Sequence, residues 1–175
     1  MFMRELAAAA ALVALTGVAA AQSPNLGKAI SPEDLATWDI SISPDGAGLP
    51  PGSGTPKQGE EVFAMNCQAC HNAKGAGQPN DRLVGGQGTI IAGDKPAVKT
   101  VGSYWPYATT LFDYIRRAMP LPRSKSLSND EVYAVAAYIL NLNGVIGETD
   151  TLDAKTLPQV KMPNRDGFTP FHRGE

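Results

Sequence analysis

Two cysteines and a histidine lie within five residues of this 175-residue chain, in the order Cys67-Gln68-Ala69-Cys70-His71. They include both cysteines of the sequence and one of its two histidines. Cysteines three positions apart on a helical turn present both sulfur atoms to one side, and the ring of the adjacent residue swings toward that side. Two thioether bonds, together with an axial bond from His71 to iron, would attach one haem c, which is the chemistry that this spacing predicts.

Three other chemistries stay open for the same residues. A structural zinc ion needs four ligands, but the second histidine, His172, lies about one hundred residues downstream, and the chain has no further cysteine. A redox-active dithiol pair is expected at the start of a helix that follows a strand, whereas here the sequence predicts a helix that runs into the motif. A plain disulfide is the third alternative, because an exported protein meets an oxidising environment.

Residues 1–21 predict a secretory signal peptide that is cleaved. Arg4 precedes an apolar run over residues 7–18, and Ala19-Ala20-Ala21 before Gln22 fits a small-residue cleavage site. The apolar run is shorter than the roughly 20 residues that a membrane-spanning helix needs. We therefore expect a periplasmic protein with no permanent membrane anchor. The formal net charge of −2 argues against nucleic acid as a partner, since nucleic acid selects strongly basic surfaces.

The first half of the chain predicts two helices. Ser31 as the N-cap, with Pro32 behind it, is typical of the start of a brief helix. Thr55 and Pro56 begin a longer helix in the same way, and that helix runs into Cys67. Because much of the intervening sequence is rich in Pro, Gly and Ser, we expect residues 22–54 to form an extended N-terminal arm.

The second half predicts two more helices. One begins at Pro106 and is ended by Pro120. The other begins at Ser128, which forms a capping box with Glu131, and Gly144 closes it. Prolines and turn-forming residues then return, so we expect residues 145–175 to form an extended C-terminal arm.

Residues 55–144 are thus the expected folded domain, which is all-α with long glycine-rich loops. Such loops bury little apolar area, so a cofactor must fill part of the interior. One covalent haem c between an N-terminal and a C-terminal helix resembles the class I cytochrome c fold. In that family a glycine and an aromatic residue of the first helix pack against an aromatic residue of the last helix. Gly59, Phe63 and Tyr138 match these positions.

The resemblance implies a second axial ligand to the iron, usually a methionine. Met119 occupies the place, between two helices, where class I cytochromes carry this ligand. Met65 lies two residues before Cys67 on the attachment side, so it cannot reach the opposite face of the ring. Met162 and His172 stay open as alternatives, although both lie beyond the last helix.

Side chains near Met119 are candidates to hold the haem propionates. Suitable donors are carried by Tyr104, Trp105, Arg116 and Arg117. A guanidinium paired with a carboxylate is a strong contact. The alternative interpretation places Trp105 and Tyr107 in the core and leaves one arginine in solvent.

A longer stretch resembles a narrower family. Residues 102–120, which read GSYWPYATTLFDYIRRAMP, are similar to the distal segment of SoxD-like cytochrome subunits of sulfite and sulfane dehydrogenases. The flanking pieces within residues 38–50 and 162–168 are similar to those subunits too. The resemblance covers roughly residues 31–170, far more than the haem motif alone.

This resemblance implies an electron-transfer protein rather than an enzyme in its own right. Such a subunit takes electrons one at a time from a molybdenum-cofactor dehydrogenase subunit and passes them to a downstream cytochrome or oxidase. Many sulfane dehydrogenase cytochrome subunits carry two haems, whereas this chain has a single attachment motif. The sequence therefore favours the cytochrome of a sulfite dehydrogenase, active in sulfur oxidation.

Two other functions stay open. The protein could be a general electron carrier, or the cytochrome subunit of another periplasmic dehydrogenase, such as one for alcohols. It could also be a haem enzyme or a ligand-binding sensor. The last class needs an open coordination position on the iron, which Met119 would fill.

Overall fold

The computed structural model describes residues 26–90 and 96–168. The chain divides into two compact units, Met1–Asp39 and Ile40–Glu175. The predicted signal peptide and His172 lie outside the described residues. No helix within the described ranges is long and apolar enough to cross a membrane.

In the described part of the first unit, helix α1 spans Pro32–Trp38. The Ser31 hydroxyl accepts a hydrogen bond of 3.1 Å from the backbone N–H of Asp34, and Pro32 occupies the first helical turn. Both features confirm the predicted helix start. No residue of α1 is buried, and the Trp38 side chain is 81% exposed.

The second unit is mainly helical. Its helices and strands are β1 Ser53–Gly54, α2 Pro56–Asn66, α3 Gln68–His71, α4 Ala108–Ala118, α5 Asn129–Leu142 and β2 Leu152–Asp153. Short 3₁₀ turns occupy Ala73–Gly75, Leu121–Arg123 and Leu157–Gln159. The all-α class is confirmed. The antiparallel pair of β1 with β2 was not predicted, because two residues per strand are too few to produce an alternating pattern.

Two helices begin with reciprocal side-chain caps. Thr55 and Gln58 form a capping box at α2, and Ser128 and Glu131 form the predicted one at α5. Helix α4 begins at Ala108, two residues later than predicted from Pro106. Tyr107 instead has extended backbone, and its ring lies 4.2 Å from the Arg165 guanidinium. This contact comes from a distant part of the chain, which helical periodicity cannot show.

Helices α2 and α5 cross at a glycine. A Cβ atom on Gly59 would overlap the carbonyl oxygen of Ala134 and would lie 2.8 Å from the Cβ of Tyr138. One turn further along, the rings of Phe63 and Tyr138 pack with centroids 5.4 Å apart. The crossing expected from Gly59, Phe63 and Tyr138 is therefore present. It places the end of α2, and with it Cys67, at a fixed position on the core.

The segment after α5 completes the core rather than extending from it. Leu152, Leu157 and Met162 are all buried in the same apolar cluster as α4 and α5. The buried Asn164 side chain donates a hydrogen bond of 2.7 Å to the carbonyl of Tyr104. Isolated apolar residues between prolines give no periodic signal, so the sequence predicted only an extended arm here. Within the described residues, this segment is packed against the core as far as Asn164.

Candidate haem-binding site

The two cysteines lie at the junction of α2 and α3. Cys67 ends α2 and precedes α3, while Cys70 lies within α3. Both thiols are half-buried, and they are not joined in a disulfide. Burial, with a smaller contribution from Cys70, raises the pKa of Cys67 to about 11. The Cys67 sulfur is therefore a neutral thiol at pH 7 until it is alkylated.

His71 has one ring nitrogen engaged by the protein. Its Nδ1 lies 2.8 Å from the carbonyl oxygen of Asp81. A carbonyl can only accept, so Nδ1 carries the proton and donates it to Asp81. In the neutral ring the lone pair is then on Nε2, which is the arrangement of a metal-ligating imidazole whose outer nitrogen donates to a backbone carbonyl. Asp81 was missed by the sequence analysis because its contribution is a backbone atom ten residues away.

The loop after the motif folds back onto it. The carbonyl of His71 accepts from the backbone N–H of Gly77 at 2.8 Å, and that of Cys70 accepts from Asn80 at 2.9 Å. These two bonds bring the chain back past the haem motif, immediately before Asp81. The chain immediately before the Asp81 carbonyl is therefore anchored by the backbone of the motif itself.

Met119 lies at the end of α4. Its N–H donates to the carbonyl of Ile115 at 3.0 Å, and its own backbone is extended, so it is the C-cap residue. The side chain is half-buried at the edge of the apolar core. Met162, by contrast, is only 3% exposed and packs inside that core. Of the two, Met119 is the one whose side chain is partly exposed.

A hydrogen bond joins the segment after Met119 to the end of α2. The guanidinium of Arg123 donates to the side-chain oxygen of Asn66 at 3.1 Å, across 57 residues of sequence. Asn66 is the neighbour of Cys67, and it is fixed by its own bond to the carbonyl of Val62 at 3.0 Å. The segment after Met119 and the residue before Cys67 are thus directly linked.

The four candidate propionate contacts have different surroundings. The ring of Trp105 packs edge-on against Tyr114 at 5.7 Å, and that of Tyr104 packs against Phe168 at 5.2 Å. Trp105 also borders the apolar core, as the alternative interpretation expected.

The two arginines also have different surroundings. Arg117 forms an ion pair with Asp113 at 2.7 Å and donates to the carbonyl of Ile40 at 3.3 Å, so its guanidinium is already engaged by the protein. Arg116 is half-buried, and its charge acts on Tyr133. A propionate contact stays a prediction for all four residues, and Arg117 has the least capacity for one.

The residues present fit a covalently attached haem. Such a group requires two thiols for attachment and two side chains that can bind the iron. The chain supplies two free thiols three positions apart, an imidazole whose Nε2 is unprotonated in the neutral ring, and a half-buried thioether. Half-buried apolar side chains at the core edge, including Leu83 and Trp105, add the apolar surface that a porphyrin ring needs. A zinc site has less support, since the described residues contain no cluster of three or more His, Cys, Asp or Glu side chains.

Comparisons with known proteins agree with this fit. The family model for cytochrome c oxidase, cbb3-type, subunit III matches residues 54–139. A chain in the crystal structure of the sulfane dehydrogenase SoxCD from Paracoccus pantotrophus is 40% identical, with a TM-score of 0.80, over 85% of this chain and 73% of that one. The chain belongs to the SoxD-like c-type cytochromes.

A second relative of this cytochrome is a thiosulfate dehydrogenase from Psychrobacter arcticus, which is 34% identical over 111 residues. The alignment covers 59% of the cytochrome but only 32% of that dehydrogenase, so the cytochrome spans about a third of that relative's length. Haem c is the cofactor of the family, and the class I cytochrome c fold is confirmed. The cytochrome is an electron-transfer protein related to subunits of sulfur-compound dehydrogenases.

Proposed function

We propose that the protein is a periplasmic monohaem cytochrome that accepts single electrons from a molybdenum sulfite dehydrogenase subunit. It passes them to a downstream cytochrome or oxidase. The observation that carries the proposal is the extent of the similarity to sulfane dehydrogenase, which covers 85% of the chain, whereas the cytochrome family model covers only residues 54–139. Sulfite is favoured over sulfane sulfur because the sequence has one attachment motif.

The chain would hold its haem through four side chains. Cys67 and Cys70 would form the thioethers, while the Nε2 of His71 and the sulfur of Met119 would bind the iron. When bound, the haem supplies a one-electron carrier whose potential is raised by a thioether ligand. The Asp81 carbonyl keeps the proton on the Nδ1 of His71, which fixes the orientation of the ring.

The chain around Met119 is anchored on both sides of this residue. Met119 caps α4 and is followed by a segment that Arg123 joins to Asn66, so its sulfur is presented by a short, doubly anchored stretch. If His71 and Met119 both bound the iron, the chain would fill both ligand positions. This favours a carrier over a haem enzyme or sensor, each of which needs an open position.

The test is reduction of the oxidised cytochrome by its partner dehydrogenase. The partner is isolated by copurification and analysed for molybdenum, then mixed with the cytochrome and sulfite in a stopped-flow instrument. Haem reduction should keep pace with sulfite turnover. Parallel reactions with thiosulfate and with an alcohol dehydrogenase plus ethanol should be much slower. No reduction by sulfite within many turnovers would refute the proposal.

A second candidate donor is a sulfane or thiosulfate dehydrogenase. It is favoured by the names of the two relatives, a sulfane dehydrogenase and a thiosulfate dehydrogenase. The same stopped-flow reactions separate the two candidates. Reduction driven by thiosulfate or by protein-bound sulfane sulfur, and not by sulfite, would make the second candidate correct.

A further inference from the structure

A buried asparagine connects the last helix to the loop that carries Asp81. Asn143 follows α5, is 8% exposed, and uses both atoms of its side-chain amide. The Nδ2 group donates to the carbonyls of Leu83 at 3.2 Å and Ile139 at 2.8 Å. The Oδ1 atom accepts from the N–H of Gly85 at 3.0 Å and from the Gln87 amide at 3.3 Å.

These contacts fix the chain immediately after Asp81. Both backbone groups of Leu83 are hydrogen-bonded. Its N–H donates to the carbonyl of Gly75 at 2.9 Å, and its carbonyl accepts from Asn143. Before Asp81, the N–H of Asn80 is bonded to the Cys70 carbonyl. The Asp81 carbonyl therefore lies between one anchor provided by the haem motif and a second provided by Asn143.

The same asparagine also contacts the start of the distal segment. A Cβ on Gly102 would overlap the Oδ1 of Asn143 and lie 2.6 Å from its Cγ. Two residues earlier, the Thr100 hydroxyl donates to the carbonyl of Gly85. The loop on the His71 side and the segment that leads to Met119 therefore meet at one buried amide.

We propose that Asn143 is a positioning residue that orients the axial His71 through the carbonyl of Asp81. An amide is required because this position must donate to the Leu83 carbonyl and accept from the Gly85 N–H. A carboxylate can only accept, and an apolar side chain would leave both partly buried backbone groups without their partners. This inference rests on the proposed haem site, because it assigns a role to His71 as an iron ligand.

Two properties of the holoprotein report this role. One is the rate at which the Nδ1 proton of His71 exchanges with solvent in the reduced state, measured by NMR. The other is the reduction potential. A well-oriented carbonyl makes the imidazole a stronger donor, which stabilises the oxidised iron. If the Asp81 carbonyl is held less firmly, the Nδ1 proton of His71 should therefore exchange faster and the reduction potential should rise.

The test variant is Asn143→Asp, which preserves shape but removes the donor to Leu83. We expect the His71 Nδ1 proton to exchange about tenfold faster, the factor expected from losing about one buried hydrogen bond. Because the new carboxylate would itself lower the potential, the rise in potential is expected in the uncharged variant Gln87→Ala. The matched control is Tyr133→Phe on the same helix, which loses a hydrogen bond of 2.9 Å to the carbonyl of Pro50. The control should lower stability while leaving proton exchange and potential at wild-type values.

The outcome in each variant either supports or overturns the positioning role of Asn143. Wild-type proton exchange in Asn143→Asp, despite lower stability, would overturn the positioning role. If that variant fails to accumulate, Gln87→Ala decides, because it removes only the exposed donor to Asn143. A smaller acceleration in the same direction supports the inference, and an unchanged rate overturns it.

Failure of the haem site itself would look different. A wild-type protein without covalent haem, or with a high-spin spectrum, would refute the ligand assignment. A normal low-spin wild type with an unresponsive variant would refute only the role of Asn143.

Discussion

Gly59 of α2 lies directly against the carbonyl oxygen of Ala134 in α5, with no room for a methyl group between the two helices. This contact sets how closely the helix that ends in Cys67 approaches the core. Replacing Gly59 with Ala should destabilise the holoprotein by about 2 kcal/mol or more, as overpacking does when the neighbour is backbone. Chemical unfolding followed by far-ultraviolet circular dichroism measures this change.

The matched control is Gly147→Ala. A Cβ there meets nothing closer than Asp150 at 3.5 Å, which is an ordinary contact. This variant should unfold within about 0.5 kcal/mol of wild type. Equal stability of the two variants would show that the helices can separate at Gly59 without cost.

The two candidate methionine ligands can be separated by their substitution phenotypes. Met119→Ala should open the iron to carbon monoxide in the reduced state and lower the potential, because a thioether ligand favours reduced iron. Met162→Ala should instead cost about 2 to 5 kcal/mol of stability, since Met162 is a core residue, and should retain the low-spin spectrum. Absorption spectra under carbon monoxide and unfolding curves measure both. The reverse pattern would make Met162 the ligand.

Alkaline pH should weaken the fold through Tyr133. Burial, with a contribution from the nearby charge of Asp153, raises the pKa of this tyrosine to about 12, above its ordinary value of 10.0. Between about pH 10 and 12 the unfolded chain loses its phenolic proton and the folded chain keeps it. The stabilisation that Tyr133 contributes to the folded state is therefore fully present below pH 10, and it is lost as pH rises toward 12.

The variant Tyr133→Phe should be less stable at pH 7, by about 1 kcal/mol for the lost hydrogen bond to Pro50. Its stability should decline less than that of wild type between pH 10 and 12. Urea unfolding across this range measures both slopes. Parallel declines would mean that another group controls the alkaline loss.

The bond between Arg123 and Asn66 should slow the release of Met119. Arg123→Ala removes it, and we expect imidazole to bind the oxidised protein several-fold faster, because a hydrogen bond of this kind is worth about 1 kcal/mol. Lys125→Ala is the control, since it deletes a positive charge from the same loop without breaking the bond to Asn66. Equal acceleration in both variants would assign the effect to charge.

Local sequence signals predicted the helices well. The start at Ser31 and the capping box at Ser128 are set by side chains within three residues of the N-cap, so the printed sequence contains the whole cause. The crossing at Gly59 was also predictable, because the family resemblance supplied the partner helix. The start of α4 was placed two residues early, where a contact between Tyr107 and Arg165 intervenes.

The supporting part of the site was not predictable in the same way. Asp81 acts through its carbonyl, an atom that every residue possesses, and Asn143 acts through partners 56 to 60 residues away. The sequence offered one unused signal at Asn143, an asparagine directly before the closing glycine of α5. A C-cap residue with a polar side chain is a reasonable place to look for a buried hydrogen-bonding group.

The pairing of Ser53 with Asp153 and of Gly54 with Leu152 brings together two points of the chain that lie on either side of the haem motif and Met119. Paired residues in an antiparallel ladder have Cα atoms about 5 Å apart, so the stretch between them is a loop closed at its base. Leu157 and Met162, which follow the ladder, are buried in the core. The chain beyond the ladder therefore belongs to the same unit as the closed loop.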